Sequence, residues 1–317
     1  MQRWYRPEQL KFVQEFLRPL ADQLGMWLVY EIDDVLVYNE IPDYNMAKPA
    51  YSPERIGDSP REIMKLCDLI TVTTDEIKNL YVKAFGIDPD KVLVIPNYLP
   101  RWWIGESFNL GRTMWQWNQQ KAKPHVAFAC STNHFDVDNK NGGIDDFTHI
   151  IPWIKKNMDK YQFVFVGGVP KQLTEFVQKG KIEYQPPSDI FNYPREVLAR
   201  RFDVLIAPLI DNEFNRCKSN IKFLEYSALG IPMIGQDMVT YQGCTDLLFK
   251  TGEDIDKHIY DLFWAPDAEE RYKNIVIENR KVIDGDEKNS GWWLERNLDK
   301  WYDFYCAPQK TIKAKLE

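Results

Sequence analysis

Between Phe202 and Gly235 the sequence reads FDVLIAPLIDNEFNRCKSNIKFLEYSALGIPMIG: an apolar run closing at Pro208, a polar loop, then a helical pattern beginning near Ser219. Lys222, Glu225 and Leu229 stand three or four residues apart and so fall on one side of that helix. The unpaired N–H groups of its first turn form an anion site that suits a diphosphate. Arg216 and Lys218, just before that turn, can add charge-assisted hydrogen bonds to the same phosphates. Ser219 is placed to cap the helix, with Asn220 beside it. Glu225, almost two turns in, offers an acceptor-only carboxylate suited to a ribose diol. The same charges also fit a plain amphipathic helix with Glu and Lys on its wet face, and spacing alone does not choose between the two.

A second pair of carboxylates, Asp33 and Asp34, ends the apolar run VYEIDD, where open α/β sheets place their sites. Adjacent carboxylates can hold Mg²⁺ through a sugar diphosphate, face an acceptor, or simply cap a loop. His134, in the run Ser131-Thr132-Asn133-His134, reads equally as a structural or a functional histidine.

These residues need elements to hold them. The segment 7–25 spaces Leu10, Val13, Leu17 and Leu20 along one helical face, with Pro19 as a possible kink and Gly25 as its end. MWLVYEI predicts a buried strand, followed by a polar, Pro-rich loop over about 38–58 and a helix over 60–66. A strand LITVT comes next, then a helix opened by Thr74 or Asp75, and a strand KVLVIPN. Residues 98–123 carry four Trp without a clean period and read as an interdomain connection. From Pro124 a second alternating series runs: strands PHVAFAC, YQFVFVGG, IEYQ, FDVLIAPL and IPMIGQ, with helices at about 144–158, 170–179, 193–200 and 219–229. Such alternation predicts parallel sheets with helical crossovers. The expected organisation is an N-terminal, acceptor-side Rossmann-like domain over 1–100, shortened by its opening units, a connection over 101–123, and a second Rossmann-like domain over 124–285. A helix over 286–317 crosses back, with Trp293, Leu294, Leu298 and Trp301 on one face.

Length and composition agree with this. A chain of 317 residues is too long for one ordinary core and about right for two α/β domains. Its net charge of -7 lacks the global basic excess of a protein built to coat nucleic acid. Five scattered cysteines predict reduced thiols and no metal cluster. No apolar run approaches the roughly 20 residues of a membrane span, and no secretory signal is visible, so a cytoplasmic location is expected.

The string NRCKSNIKFLEYSALGIPMI resembles the donor-site signature of retaining GT-B glycosyltransferases of family 4, particularly the variant with Lys-Ser before the helix and Leu-Glu-Tyr within it. CDLITVTTDEIKNLY followed by VLVIPNYLP is similar to the end of that family's N-terminal domain. The resemblance implies two facing Rossmann-like domains with a donor site in the second, transfer with retention, and a nucleoside-diphosphate sugar as donor, with a UDP-sugar as the first expectation. It implies no tightly bound cofactor and no metal, because the diphosphate is neutralised by cations and a helix terminus. It places Ser131, Thr132, Arg216, Lys218, Ser219, Asn220 and Glu225 on the donor. Catalytic roles fall to Asp33, Asp34, His134 and Lys140, with the two aspartates facing the acceptor. One departure stands out: Cys217 occupies the place of the first glutamate in that clan's two-glutamate motif, leaving Glu213 as a nearby substitute.

The acceptor stays open. The short N-terminal half, the EIDD element and the Ser-Thr-Asn-His turn most resemble glycosyltransferases of tailed phages, some of which sugar-coat hydroxymethylcytosine in DNA. Such an acceptor would need a flipped base, and Arg101, Trp102, Trp103, Arg112, Trp115 and Trp117 would be its basic and aromatic face. Host cytoplasm would then be the location. The rivals are a non-catalytic sugar-nucleotide-binding subunit, with a partner or missing segment completing the N-terminal domain, and a nucleotide-sugar epimerase.

Overall fold

The computed structural model describes residues 1–104, 108–137, 142–199 and 202–306. The first lobe is built on a parallel sheet of β1 (Val29–Glu31), β2 (Leu69–Val72) and β3 (Val92–Val94), in the order β1-β2-β3. All four residues of β2 are buried, as a central strand covered on both faces requires. Gln2 adds a single bridge beside Glu31 at the β1 edge. Thr74 caps the helix Asp75–Phe85 by accepting from the Ile77 N–H, and Gly86 ends it at φ 63°. The expected N-terminal helix is there in three pieces. Pro7–Phe12 and Arg18–Leu24 are α-helical and Val13–Leu17 between them is a π-turn, which absorbs the hydrogen bond that Pro19 cannot donate.

The second lobe holds β4 (His125–Cys130), β5 (Gln162–Gly167), β6 (Ile182–Gln185), β7 (Val204–Ala207), β8 (Met233–Gln236) and β9 (Leu248–Phe249). They form one parallel sheet ordered β6-β5-β4-β7-β8-β9. The order reverses between β4 and β7, so the crevice outside their C-terminal ends is where such a sheet admits a ligand. Two apolar cores flank this sheet, and a third fills the first lobe. Phe214 and Cys217, from the loop after β7, belong to the first lobe's core and tie the lobes together.

Four local expectations are corrected. Residues 98–123 are mostly helical, with Arg101–Ile104 and Leu110–Gln120, the latter capped by Asn109. They fold onto the second lobe: Ile104 and Trp117 enter its cores, and the Trp117 indole donates to the Leu262 carbonyl at 3.0 Å. The helix expected over 144–158 shrinks to Ile151–Lys156. Asp145 holds the preceding turn, accepting from the N–H groups of Asp136 and Phe147, bonds that compete with helix. The helix near Ser219 starts two residues later, as Ile221–Ala228, with a short helix Glu213–Arg216 before it. The C-terminal helix runs Leu298–Cys306, and Trp292–Leu294 instead brackets Leu99 through two backbone hydrogen bonds of 2.9 Å. β9 and the helices Gly252–Phe263 and Ala268–Asp284 complete the second lobe beyond the elements read from the sequence. Cys67, Cys130, Cys217 and Cys244 are free thiols. No helix among the described residues is long and apolar enough to cross a membrane.

Candidate functional site

The C-terminal ends of β1, β4 and β7 converge on a cavity of about 710 Å³ between the lobes. From the first lobe, Arg3, Asp33 and Asp34 face it; from the second, His134, Lys218, Ser219, Lys222 and Glu225. Asn97, at the crossing between lobes, donates to the Ser219 hydroxyl at 2.9 Å and fixes the approach to the helix Ile221–Ala228. No side chain caps that helix. Its N-terminal donors therefore stay available at the cavity wall, beside two lysines.

The charged groups are arranged around Asp146, a fully buried residue that the sequence reading passed over. Its Oδ1 accepts from the Tyr44 hydroxyl at 2.9 Å, the Asn215 amide at 2.6 Å and the Ile210 N–H at 3.1 Å. Its Oδ2 meets His134 Nδ1 at 2.7 Å and lies 3.6 Å from Lys218 Nζ. Burial works to raise the Asp146 pKa, but the Lys218 charge and the His134 contact outweigh it and hold the group down at about 2. Burial and the charge of Lys218 push His134 down to about 4, against the pull of Asp146. The imidazole is thus neutral at pH 7. The short contact to a carboxylate assigns the proton to Nδ1, leaving Nε2 as the acceptor nitrogen. Lys218 is itself lowered by burial, with Asp146 opposing.

Glu225 lines the cavity with no hydrogen-bond or ion-pair partner among the described residues, and burial lifts it to about 7 against the nearby Lys222. Lys222 donates to the Ala129 carbonyl, which anchors it at the end of β4. On the same wall, Trp102 and Trp103 stand near Ile190 and Phe191; Trp103 stacks on Tyr193 with ring centroids 6.2 Å apart. The Trp102 and Phe191 rings, 70% and 72% exposed, form an aromatic lip.

The structure therefore gathers Asp33, Asp34, His134, Lys218, Ser219, Glu225, Trp102 and Trp103 around one space. Among the described residues it does not bring in the others. Arg216 turns outward to a two-pronged pair with Asp211 at 2.7 and 3.0 Å, away from the cavity. Asn220 donates to the Cys244 sulfur instead of facing a ligand. Thr132 is exposed outside the cavity, and Ser131 borders only a smaller side chamber. Arg101 is held through its backbone N–H by the Glu295 carboxylate, with its guanidinium over the Trp293 ring. Lys140 lies outside the described residues. Cys217 is buried in the first lobe's core, and Glu213 sits 3.9 Å from Arg216 on the surface, so neither supplies the missing glutamate. Asp33 is bound by Arg3 at 2.6 Å, with Arg3 at an uncommon φ of 51°. Among the described residues no group of three or more His, Cys, Asp and Glu has the geometry to hold a metal ion.

Of the six residues proposed for a DNA face, Trp117 is core and Trp103 is engaged with Tyr193 and the Ile190 carbonyl. Asp146 and Tyr44 were missed because their partners, apart from His134 twelve residues before Asp146, are more than sixty residues away in sequence. The pair Asp145-Asp146 after Gly142-Gly143 was the one local signal.

No known protein family matches this sequence, and no curated protein matches it. Solved structures match its fold. Anabaena HepE, crystallised with UDP and glucose, superposes with a TM-score of 0.57 at 10% identity over 90% of this chain and 73% of its own. A glycosyltransferase from Rickettsia africae gives 0.53 at 10% identity, covering 94% of this chain and 81% of that one. An α,α-trehalose 6-phosphate synthase from Burkholderia multivorans gives 0.51 at 11% identity, covering 97% and 76%. The fold of this chain is GT-B, with parallel sheets in two facing Rossmann-like lobes.

Proposed function

We propose that this chain is a glycosyltransferase that takes its sugar from a UDP-sugar bound against the second lobe. The observation that carries the reading is the wall of the interlobe cavity where Lys218, Lys222 and the uncapped start of the helix Ile221–Ala228 stand beside an unpartnered Glu225. Two cations and a helix N-terminus suit a diphosphate, and a free carboxyl one and a half turns further suits the ribose diol that follows it. The aromatic lip of Trp102 and Phe191 supplies faces for a nucleobase. The UDP and UDP-glucose complexes of HepE, an enzyme-sized match in fold only, favour uridine over other bases.

In this reading the chain's own groups position the donor and stabilise the charge that grows on the departing diphosphate, with Lys218 as the principal cation. His134, whose Nδ1 lies 3.3 Å from the Lys218 ammonium, and Asp34 line the same cavity beside it and are the groups assigned to the reacting carbon. The likeness of the helix motif to retaining enzymes adds retention of the anomeric configuration. The test is release of UDP from UDP-glucose and related UDP-sugars, compared with GDP-sugars, in wild type and Lys218→Ala. The reading predicts slow UDP release even without acceptor, strongly reduced in the variant. A nucleotide-sugar epimer as product, or binding without any turnover in the presence of a broad set of acceptors, would favour the rival classes.

A further inference from the structure

Asp34, His134 and Lys218 line two spaces at once. On one side is the donor cavity; on the other is a chamber of about 150 Å³ walled by Val35, Ile41, Tyr51 and Phe214. Asn45 links that chamber to a third space of about 430 Å³ between the loop 38–55 and Asp136-Val137. Residues that border both a donor cavity and a second chamber are the ones positioned to touch two substrates.

We propose that the two smaller spaces form the acceptor site, entered from the side of loop 38–55, and that it takes a small neutral carbohydrate. This rests on the donor reading above. The outer space has the size of a small-molecule site. The charges among its described residues balance: Lys48 pairs with Asp43 at 2.7 Å, Asp136 accepts from the Gly143 N–H, and Arg55 has no side-chain partner among the described residues. Tyr38, with the Lys48 ammonium 4.9 Å from its ring centroid, supplies the aromatic side, and Asn45 and Ser52 supply donors and acceptors. An aromatic side chain beside polar donors and acceptors matches a hydroxyl-rich ring. A lining with as many carboxylates as cations does not match a polyanion, whose binding grows with excess positive charge.

The narrow inner chamber delivers a hydroxyl to the partition. There the acceptor oxygen forms its bond to the anomeric carbon, and the bond from that carbon to the β-phosphate oxygen breaks, its electron pair leaving on UDP. The acceptor attacks on the face from which the diphosphate departs, which keeps the configuration, and its proton passes to the departing β-phosphate oxygen.

Met46, exposed on the wall of the outer space, is the reporter. With the protein saturated in UDP, its methyl resonance is followed by NMR during titration with glucose and methyl α-glucoside. A saturable shift is expected, weakened about tenfold in Arg55→Ala, the scale of one charge-assisted hydrogen bond. Arg55 is exposed and its side chain makes no hydrogen bond or ion pair among the described residues, so the variant keeps the fold. A Met46 signal that ignores both sugars while UDP is bound overturns the proposal. So does an unchanged response in Arg55→Ala, or a response to a hydroxymethylcytosine oligonucleotide in place of the sugars. Failure of UDP itself to bind strikes the donor reading first and takes this one with it.

Discussion

Glu225 is the residue whose chemistry most depends on what fills the cavity. With its pKa raised by burial to about 7, the empty site holds it partly protonated at neutral pH. A ribose diol donating to the carboxylate favours the charged form, so donor binding releases a proton. Affinity for UDP-glucose, whose diphosphate does not titrate in this range, should then be level above pH 8 and fall as the pH drops through about 7. Calorimetry in buffers of different ionisation enthalpy reads both the affinity and the released proton. For the empty protein the sign is the reverse: a raised pKa contributes stability at low pH that is lost as pH rises through about 7. A pH-independent affinity would remove Glu225 from the donor. His134, held near 4, stays neutral through this whole window and does not confuse the reading.

At the scale of elements, the lobes are joined through Asp146 and the loop after β7. The Tyr44 hydroxyl crosses from the first lobe to Asp146, and Thr74, which caps a first-lobe helix, donates to the Cys217 carbonyl at 3.0 Å. Tyr44→Phe removes a fully buried donor to a carboxylate, so it should cost about 1.5–3 kcal/mol in urea unfolding. An unchanged midpoint would mean that Asn215 and Ile210 satisfy Asp146 alone. These ties explain what the sequence could and could not reveal. Strands β1 to β8 were legible because each is a short apolar run between turn residues, and the helix Asp75–Phe85 because Thr74 and Gly86 mark both ends. The helix Ile221–Ala228 was legible from its Lys-Ser and Glu spacing. Arg216 was misplaced because its partner Asp211 comes from the preceding loop, a pairing that helical phase does not predict. The tryptophan-rich stretch hid two helices because Trp117 and Trp103 bury against segments far along the chain, leaving no apolar stripe of ordinary period.

For the molecule as a whole, charge decides between acceptors. The chain carries -7 overall, the described lining of the outer chamber is balanced, and Arg101 and Arg112 are tied to Trp293 and to the Leu198 carbonyl. Duplex DNA binding needs several phosphate contacts and weakens steeply with salt. Fluorescence anisotropy with labelled duplex, unmodified or carrying hydroxymethylcytosine, should therefore show no salt-sensitive binding at low ionic strength. A steep salt slope for either duplex would restore the DNA reading and place the cations in the segments around the cavity mouth.

The central claim is that a uridine diphosphate sits against Lys218 and Glu225. Titration calorimetry with UDP on wild type, Lys218→Ala and Glu225→Gln, with UDP-glucose for the pH series, tests it most directly, with thermal melting to verify each fold. The account predicts binding by wild type, a loss of about 1.5–3 kcal/mol in Lys218→Ala, and in Glu225→Gln weaker binding whose UDP-glucose affinity no longer depends on pH near 7. Equal UDP affinity in all three folded proteins would contradict it.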